Sequence, residues 1–406
     1  MHKVVVIGGG AAGMMAAITS AQKDNNVILL EKNEKLGKKI YITGKGRCNL
    51  TACVENNEFF NNVVSNPKFL FGAINTFPPF KLMAFFEENG LSLKEERGNR
   101  VFPQSDKASD VTKTLEKKLI SLGVDVRLNT TALKIKTKDN CICGVVTDSG
   151  EIDCHSVIIC TGGISYQLTG STGDGYVFAK ELGHSVIDLK PALVGLELKG
   201  NDFIELQGLS LKNVRLSAFL GNKCCFTDFG EMLFTHFGIS GPIVLSCSSK
   251  INRKNLNDIK ILIDLKPALE NEVLDNRLLR EFKENNIKSL STTLRSLLPK
   301  SLIDVVIRQA KVNENKNCSE ITVQERQRLV YVLKNLVFDV KKLRPIDEAI
   351  VTAGGIEVKE INPKTMESKI VKGLFFAGEV IDVDAFTGGY NLQIAFSTGF
   401  VAGKNS

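Results

Sequence analysis

The first thirty residues leave this chain few folds to choose from. Val4 to Ile7 are four β-branched residues in a row, the pattern of a strand buried on both faces in a parallel sheet. Gly8-x-Gly10-x-x-Gly13 follows at once and turns the chain into a helix that begins near Ala11. The glycines have separate tasks: a tight turn, backbone room for a pyrophosphate, and close helix–strand packing. Phosphates would sit on the unsatisfied N–H groups around Ala11 and Ala12, at the positive end of the helix dipole. A second apolar run, Val27 to Leu30, ends in Glu31, where a carboxylate accepts hydrogen bonds from a ribose 2′-hydroxyl. Strand, glycine turn, helix, strand and acid at this spacing predict an adenine dinucleotide site. The alternative is a Gly/Ala-rich helix start with no ligand, and which dinucleotide binds must be read elsewhere.

Residues 4–22 carry no charge, which superficially resembles a signal peptide. The glycines inside the run argue for strand and helix instead, and no other apolar stretch approaches the ~20 residues of a membrane span. The expectation is a cytoplasmic protein with no membrane partner. Hydrophobic content of 43% and charged content of 24% suit a soluble globular chain, and 406 residues suit two or three domains. The net charge of +7 comes without a nucleic-acid-type basic run, so no nucleic-acid partner is expected and the cofactor's phosphates suffice as anions. None of the ten cysteines forms a CxxC pair, and with four histidines no metal site emerges.

After Glu31, Lys32-Asn33-Glu34-Lys35-Leu36-Gly37-Lys38-Lys39 leads to Gly44-Lys45-Gly46-Arg47-Cys48-Asn49. Lys38, Lys39, Lys45 and Arg47 make this a cationic, glycine-shaped loop, suited to run beneath a diphosphate and ribityl chain, or else a solvated basic loop. Residues 67–90 read as helical, 97–103 as a hairpin or edge strand, and Ser105-Asp106 opens an amphipathic helix ending at Gly123. His155 to Cys160 is another buried strand, ending in Thr161-Gly162-Gly163 where the chain passes close to the cofactor. From Pro191 to about 267, alternation at Val214-x-Leu216-x-Ala218 and Ile259-x-Ile261-x-Ile263 indicates antiparallel strands. Residues 268–344 read as helical, with Leu329, Leu333 and Leu336 as one apolar face. Counting 266–345 gives 16 Lys/Arg against 10 Asp/Glu, a solvated helical face or a surface for an anionic partner.

The last sixty residues return to buried-strand character. Leu374-Phe375-Phe376-Ala377-Gly378-Glu379 is a strand ending in Gly-Glu, and Gly388-Gly389-Tyr390-Asn391-Leu392-Gln393 opens a final helix. In two-piece flavin domains such a carboxylate binds a ribityl hydroxyl. The helix then aims its N-terminus at the flavin N1/C2 carbonyl, where negative charge builds on reduction. Fingerprint and C-terminal Gly-Glu together select non-covalent FAD over NAD.

With both ends in view, the chain resembles a family of bacterial FAD-dependent oxidoreductases that includes aminoacetone oxidase-like and bile-acid enone reductase-like flavoproteins. The likeness spans nearly the whole chain. It rests on Gly8 to Gly13, Gly44 to Asn49, Thr169 to Gly175, Phe234 to Pro242, Val351 to Ile356 and Gly378 to Gln393. It implies an α/β fold with a split Rossmann-type FAD-binding domain, 1–190 and 345–406. That domain is interrupted by an antiparallel β-barrel-like domain, 191–267, and a helical domain, 268–344. It further implies FAD contacts from Glu31, Arg47 to Asn49, Ala132, Thr161, Gly162, Glu379, Asn391 and Leu392. The family pattern carries glycine where this chain has Lys45.

The first functional expectation is an FAD-dependent oxidoreductase passing a hydride between flavin N5 and a small organic substrate, with NAD(P)H as donor or oxygen as acceptor. No second fingerprint provides an NAD(P)H domain. The substrate would lie against the inserted domain, with His236 and Tyr390 as candidate acid/base groups; the bland readings are a satisfied structural histidine and a packed ring. A second expectation is a disulfide reductase using Cys48 and Cys53, which lie after the second strand. A third is a non-catalytic flavoprotein binding an anionic partner. Substrate and oligomeric state are not legible.

Overall fold

The computed structural model describes residues 2–406. The chain divides into two compact units, Met1–Ala192 with Pro345–Ser406, and Leu193–Arg344. The first is built on a five-stranded sheet in the order Leu374–Phe376, Ser156–Ile159, Lys3–Ile7, Asn26–Leu30, Asp125–Arg127, with every pair parallel. Its inner strands are the β-branched runs of the sequence, and Val4, Val5 and Val6 have no exposed surface. Strand order reverses on either side of Lys3–Ile7, so the crevice for a ligand lies at the carboxyl ends of the central strands. The C-terminal strand completes the sheet by pairing with Ser156–Ile159, which joins the two ends of the chain.

Two helices give that sheet its functional edge. Ala11–Ala21 follows the glycine turn, and the final helix runs Tyr390–Asn405. They cross in parallel through small residues: Gly399 lies on Ala12 and Gly403 on Ala16, so close that a Cβ at either would stand about 3 Å from the facing backbone carbonyl carbon. A side meander of Ala132–Lys138, Cys141–Thr147 and Gly150–Asp153 follows the sheet's outer strand. Strand Val186–Ala192 pairs antiparallel with Val351–Ile356. Pro67–Glu88 is long and apolar enough to cross a membrane by length and hydropathy alone, but half of it is buried and Phe77 breaks it at φ −132°, ψ 75°.

The second unit is a closed barrel ordered Leu196–Leu198, Gly238–Ser240, Lys223–Thr235, Ser210–Leu220, Ile259–Asp264, Leu336–Leu343. Here the structure corrects the sequence reading. Residues 268–344 are not a separate helical domain: helices including Asn271–Glu284, Lys300–Ala310 and Val323–Lys334 form an excursion between two barrel strands, within one compact unit. Leu336 belongs to a strand, not to the helical face of Leu329 and Leu333. Asn335 leaves helical space at φ −143°, ψ 61°, and Leu336, Phe338 and Val340 then point inward with the period of two that a strand requires.

Candidate functional site

The sequence-predicted cofactor residues gather at the carboxyl end of the parallel sheet. Gly8 follows Ile7 at φ +105°, a conformation suited to glycine, and a Cβ there would stand 2.6 Å from the Cys160 carbonyl oxygen. At Gly10 nothing lies within 4 Å of the Cβ position, so the turn is packed on its sheet side and open where a pyrophosphate would approach. The helix that follows has no side-chain cap and no acid in its first turn, which leaves the N–H groups of Ala11, Ala12 and Gly13 for an anion. Glu31 is buried and fixed: one carboxylate oxygen accepts from Gly9 N–H at 2.8 Å, the other from Asn33 N–H at 2.8 Å and from Asn33 Nδ2 at 2.6 Å. Carboxylate oxygens have lone pairs beyond these, which can accept ribose hydroxyls. Ala132 is buried at the start of its strand, and Thr130 N–H donates to the Glu31 carbonyl nearby.

The halves of the site meet at Gly378. This residue, at φ +78°, lies against Ala12, whose Cβ is 2.9 Å from where a Gly378 Cβ would be. Glu379 is held by Lys39 Nζ at 2.6 Å, Thr352 N–H at 2.8 Å and Ser165 Oγ at 3.1 Å. Thr352 also accepts from Ile164 N–H at 2.9 Å and so shapes the loop after Thr161-Gly162-Gly163. A Cβ on Gly163 would stand 2.7 Å from the Thr352 Cβ. Thr161 Oγ1 is buried with no hydrogen-bond partner and lies against the position a Gly175 Cβ would take, so it faces the Asp174–Glu181 helix. Sequence reasoning missed Ser165 and Thr352 as holders of Glu379; Thr352 stood in a quoted segment, but nothing local says that its amide reaches across the sheet.

The loop 38–49 departs from expectation. Lys38–Ile42 is a short helix, and Gly44 and Lys45 both adopt left-handed backbone, at φ +56° and +58°. Three of its four cations, Lys38, Lys39 and Arg47, are engaged by carboxylates and not free for phosphate, while Lys45 is exposed. Lys32 binds Asp174 at 2.6 Å and also Thr172, Lys38 binds Glu34 at 3.2 Å, and Lys39 is committed to Glu379. The Arg47 guanidinium lies 4.1 Å over the Phe102 ring and is gripped by Glu96 and by Asp106, the latter at 2.6 Å. The side chain expected to bind cofactor is therefore a strut that fixes the loop. What the loop offers a cofactor is backbone.

At the far end, the Tyr390–Asn405 helix starts from Gly389 at φ +97°, with no side-chain cap and no acid in its first turn. Asn391 is turned inward, its Nδ2 donating to Ala385 O at 2.8 Å and its Oδ1 accepting from Ala385 N–H at 2.9 Å, so it braces the preceding turn and leaves its own N–H at the helix end. In the amide orientation that satisfies both groups, Asn49 accepts from Gly389 N–H and donates to Thr51 O, each at 3.2 Å. Leu392 is partly buried against the core. Because Gly399 lies on Ala12 in a parallel crossing, this helix begins eight residues, about 12 Å, beyond the start of the fingerprint helix. Two uncapped N-termini thus point the same way, offset by about 12 Å along the helix direction. The residues present fit FAD.

The catalytic candidates are differently placed. Tyr390 is buried, edge-on to Phe59 at 5.2 Å, and burial, reinforced by Glu58, holds its phenol above the usual range. His236 belongs to the other unit, exposed at the two-residue turn between Lys223–Thr235 and Gly238–Ser240, with its ring 5.1 Å from Phe237; it is not a core histidine. Cys48 and Cys53 are both free thiols. Cys48 has no exposed surface and burial pushes its thiol up to about 12, while burial also raises exposed Cys53. A redox pair needs an accessible thiolate, so the disulfide reductase reading loses its support. Among the described residues no group of three or more His, Cys, Asp or Glu could hold a metal.

The pattern of the HI0933-like protein Rossmann domain matches residues 2–405. The chain belongs to that family. It is an FAD-dependent oxidoreductase with a Rossmann-type FAD-binding fold. It is 32% identical over 385 residues to a 3-dehydro-bile acid delta(4,6)-reductase of Clostridium scindens, spanning 93% of this chain and 92% of that protein. It is 30% identical over 381 residues to a ribosomal RNA dihydrouridine synthase of Haemophilus influenzae, spanning 92% and 90%. Among solved structures, the 3-ketosteroid delta1-dehydrogenase of Sterolibacterium denitrificans shares the fold at a TM-score of 0.52 and 12% identity, with 99% of each chain covered. A quinol-fumarate reductase does so at 0.52 and 18%, covering 99% of this chain and 71% of its own.

Proposed function

We propose that this protein saturates a carbon–carbon double bond conjugated to a carbonyl in a small organic substrate, with NAD(P)H as electron donor. The observation that carries the reading is the pair of uncapped helix N-termini, offset by about 12 Å along one direction. The bile-acid reductase and the dihydrouridine synthase act, by their names, on one kind of electrophile, since an enone and a uracil ring both present an alkene beside a carbonyl. FAD, when bound, supplies the hydride that adds to the β-carbon.

The protein's own part is to hold and to protonate. Gly10 leaves room at the fingerprint turn, and Glu31 would receive ribose hydroxyls. With FAD bound, the positive end of the Tyr390–Asn405 helix would favour the negative charge that gathers on reduction. We assign the proton for the α-carbon to Tyr390, whose burial keeps its phenol protonated and whose ring Phe59 holds in place. All ten cysteines are free, which suits a reducing, cytoplasmic setting.

A second reading is favoured by the distribution of charge. Leu193–Arg344 carries 24 Lys/Arg against 17 Asp/Glu, while the cofactor unit carries 28 of each, so the entire net charge of +7 sits on the barrel unit. A polyanion that delivers the alkene as an RNA-borne pyrimidine would be drawn there. Anaerobic stopped-flow separates the readings. NADH or NADPH should bleach the flavin, and a steroid 4-en-3-one should restore the colour; restoration only by a structured RNA transcript selects the second. Restoration by oxygen alone, with neither alkene active, makes the protein an oxidase and defeats both.

A further inference from the structure

We propose that Gln393 is a positioning residue that tunes flavin reduction by anchoring the start of the Tyr390–Asn405 helix to Thr51. The proposal rests on the reading that this helix end favours the charge gathered on reduction. Gln393 is the fourth residue of the helix, and its N–H donates to Gly389 O at 3.0 Å. The N–H groups of Tyr390, Asn391 and Leu392 come before that bond and are the ones a helix start leaves for an anion. The Gln393 side chain has no exposed surface, a costly place for an amide unless its polar atoms are bonded. They are. Oε1 accepts from Thr51 Oγ1 at 2.6 Å, and Nε2 donates to Phe77 O at 3.0 Å and to Ser397 Oγ at 2.9 Å. Ser397 Oγ in turn donates to Phe77 O at 2.7 Å.

The bond to Thr51 differs from the other two in where it leads. Thr51 backbone packs on the residue from which the helix starts: a Cβ on Gly389 would stand 2.7 Å from Thr51 Cα. Asn49 bonds both the Gly389 N–H and Thr51 O, and Thr51 is itself paired with Val101 in a small sheet. The strand therefore grips the helix twice, through Asn49 at the cap and through Gln393 about one turn further in. A single contact at the cap fixes where the helix begins but lets its axis pivot; the second fixes its direction. The attraction of aligned N–H dipoles for a developing charge depends on that direction, and a preorganised one costs nothing at the moment of reduction. The Phe77 and Ser397 bonds tie the same amide to the protein interior and leave the strand contact alone.

The test measures the midpoint potential of the bound flavin by anaerobic dye equilibration in the full chain loaded with FAD, with thermal unfolding of each variant alongside. Gln393→Met and Thr51→Val each remove the tie while keeping the volume. Each should disfavour reduction about tenfold, a fall of about 30 mV for two electrons. Because both delete one bond, the double variant should shift the potential no further than the larger single shift. Ser397→Ala leaves the tie in place and should move the potential less than about twofold, whatever it does to Tm. Potentials unchanged in Gln393→Met and Thr51→Val, with only Tm lowered, overturn the proposal and leave the reading of the helix end standing. An equal shift in Ser397→Ala overturns it as well. A wild-type flavin no easier to reduce than free FAD defeats the reading of the helix end itself, and this proposal with it.

Discussion

Adding one methyl group at Gly399 tests whether the parallel helix crossing holds the cofactor site together. Gly399 is buried in the Tyr390–Asn405 helix with helical backbone, so the only obstacle to alanine is the neighbour it meets. A Cβ would lie 3.0 Å from the Ala12 carbonyl carbon and 3.1 Å from its Cα, and closer still to its oxygen. These are backbone atoms of the fingerprint helix's first turn and cannot rotate away. Helix propensity alone would make Gly399→Ala stabilising by about 1 kcal/mol. Overpacking against fixed backbone costs about 1–3 kcal/mol or more, and forces Ala12 toward Gly378 or the helices apart. The net expectation is a loss of about 1–2 kcal/mol, a fall in Tm of about 2–6 °C for a unit of this size, and less FAD retained per chain after gel filtration. Thermal unfolding with and without excess FAD, together with the flavin-to-protein absorbance ratio, reads both. A Tm above that of the wild type with full flavin content would refute the tight crossing and the 12 Å offset derived from it.

Three further outcomes follow from particular residues. Lys45→Gly should stabilise the protein by about 0.5–1 kcal/mol in urea unfolding, since it relieves a left-handed lysine costing about 1–2 kcal/mol and adds a smaller glycine entropy term; a loss of stability would mean that the turn is not left-handed there. Glu325 is held down to about 2 by Lys316 and by the Thr322 cap, so its contribution is present above the ordinary value of 4.5 and lost as pH falls through about 2. Glu325→Gln should therefore cost about 1–2 kcal/mol at pH 7, with the gap to wild type closing in acid denaturation between those pH values. Tyr390→Phe keeps the ring against Phe59 but removes the proton, so alkene reduction should slow about a hundredfold while NAD(P)H bleaches the flavin at the wild-type rate; equal loss in both half-reactions would remove Tyr390 from the chemistry.

What the sequence made legible was local and periodic. The apolar strand, glycine turn and acid between Val4 and Glu31 are all short-range, and the structure has them where the spacing places them. The pairing of Leu374–Phe376 with Ser156–Ile159 was readable only as two buried runs ending in glycine, because nothing in either run names its neighbour. Leu336 misled because a helix and the strand after it are separated by Asn335 alone, and the leucine fits both periods until Phe338 and Val340 decide. Charge was read from composition, yet which cations are free depends on carboxylates distant in sequence: Asp106 for Arg47, Asp174 for Lys32, Glu379 for Lys39.

Those pairings change what binds the cofactor. A loop with free lysines would hold a diphosphate by charge, weakly oriented and readily screened by salt. Here those three side chains are neutralised by carboxylates before any ligand arrives, and they fix backbone instead. Lys39 locks Glu379, which in turn receives the Thr352 amide, and Arg47 pins the turn that precedes Asn49 and its bond to Gly389. Apart from exposed Lys45, the groups left for an anion are peptide N–H donors at two helix ends, rigid in direction and independent of side-chain ionisation. Preorganised dipoles of this kind favour charge at a defined point, and the end at Tyr390 is the one that can respond when charge builds there during reduction. The ion pairs beneath the site are thus scaffolding for a backbone-lined cradle, which is why adding a methyl at the helix crossing should disturb the flavin more than removing a surface lysine.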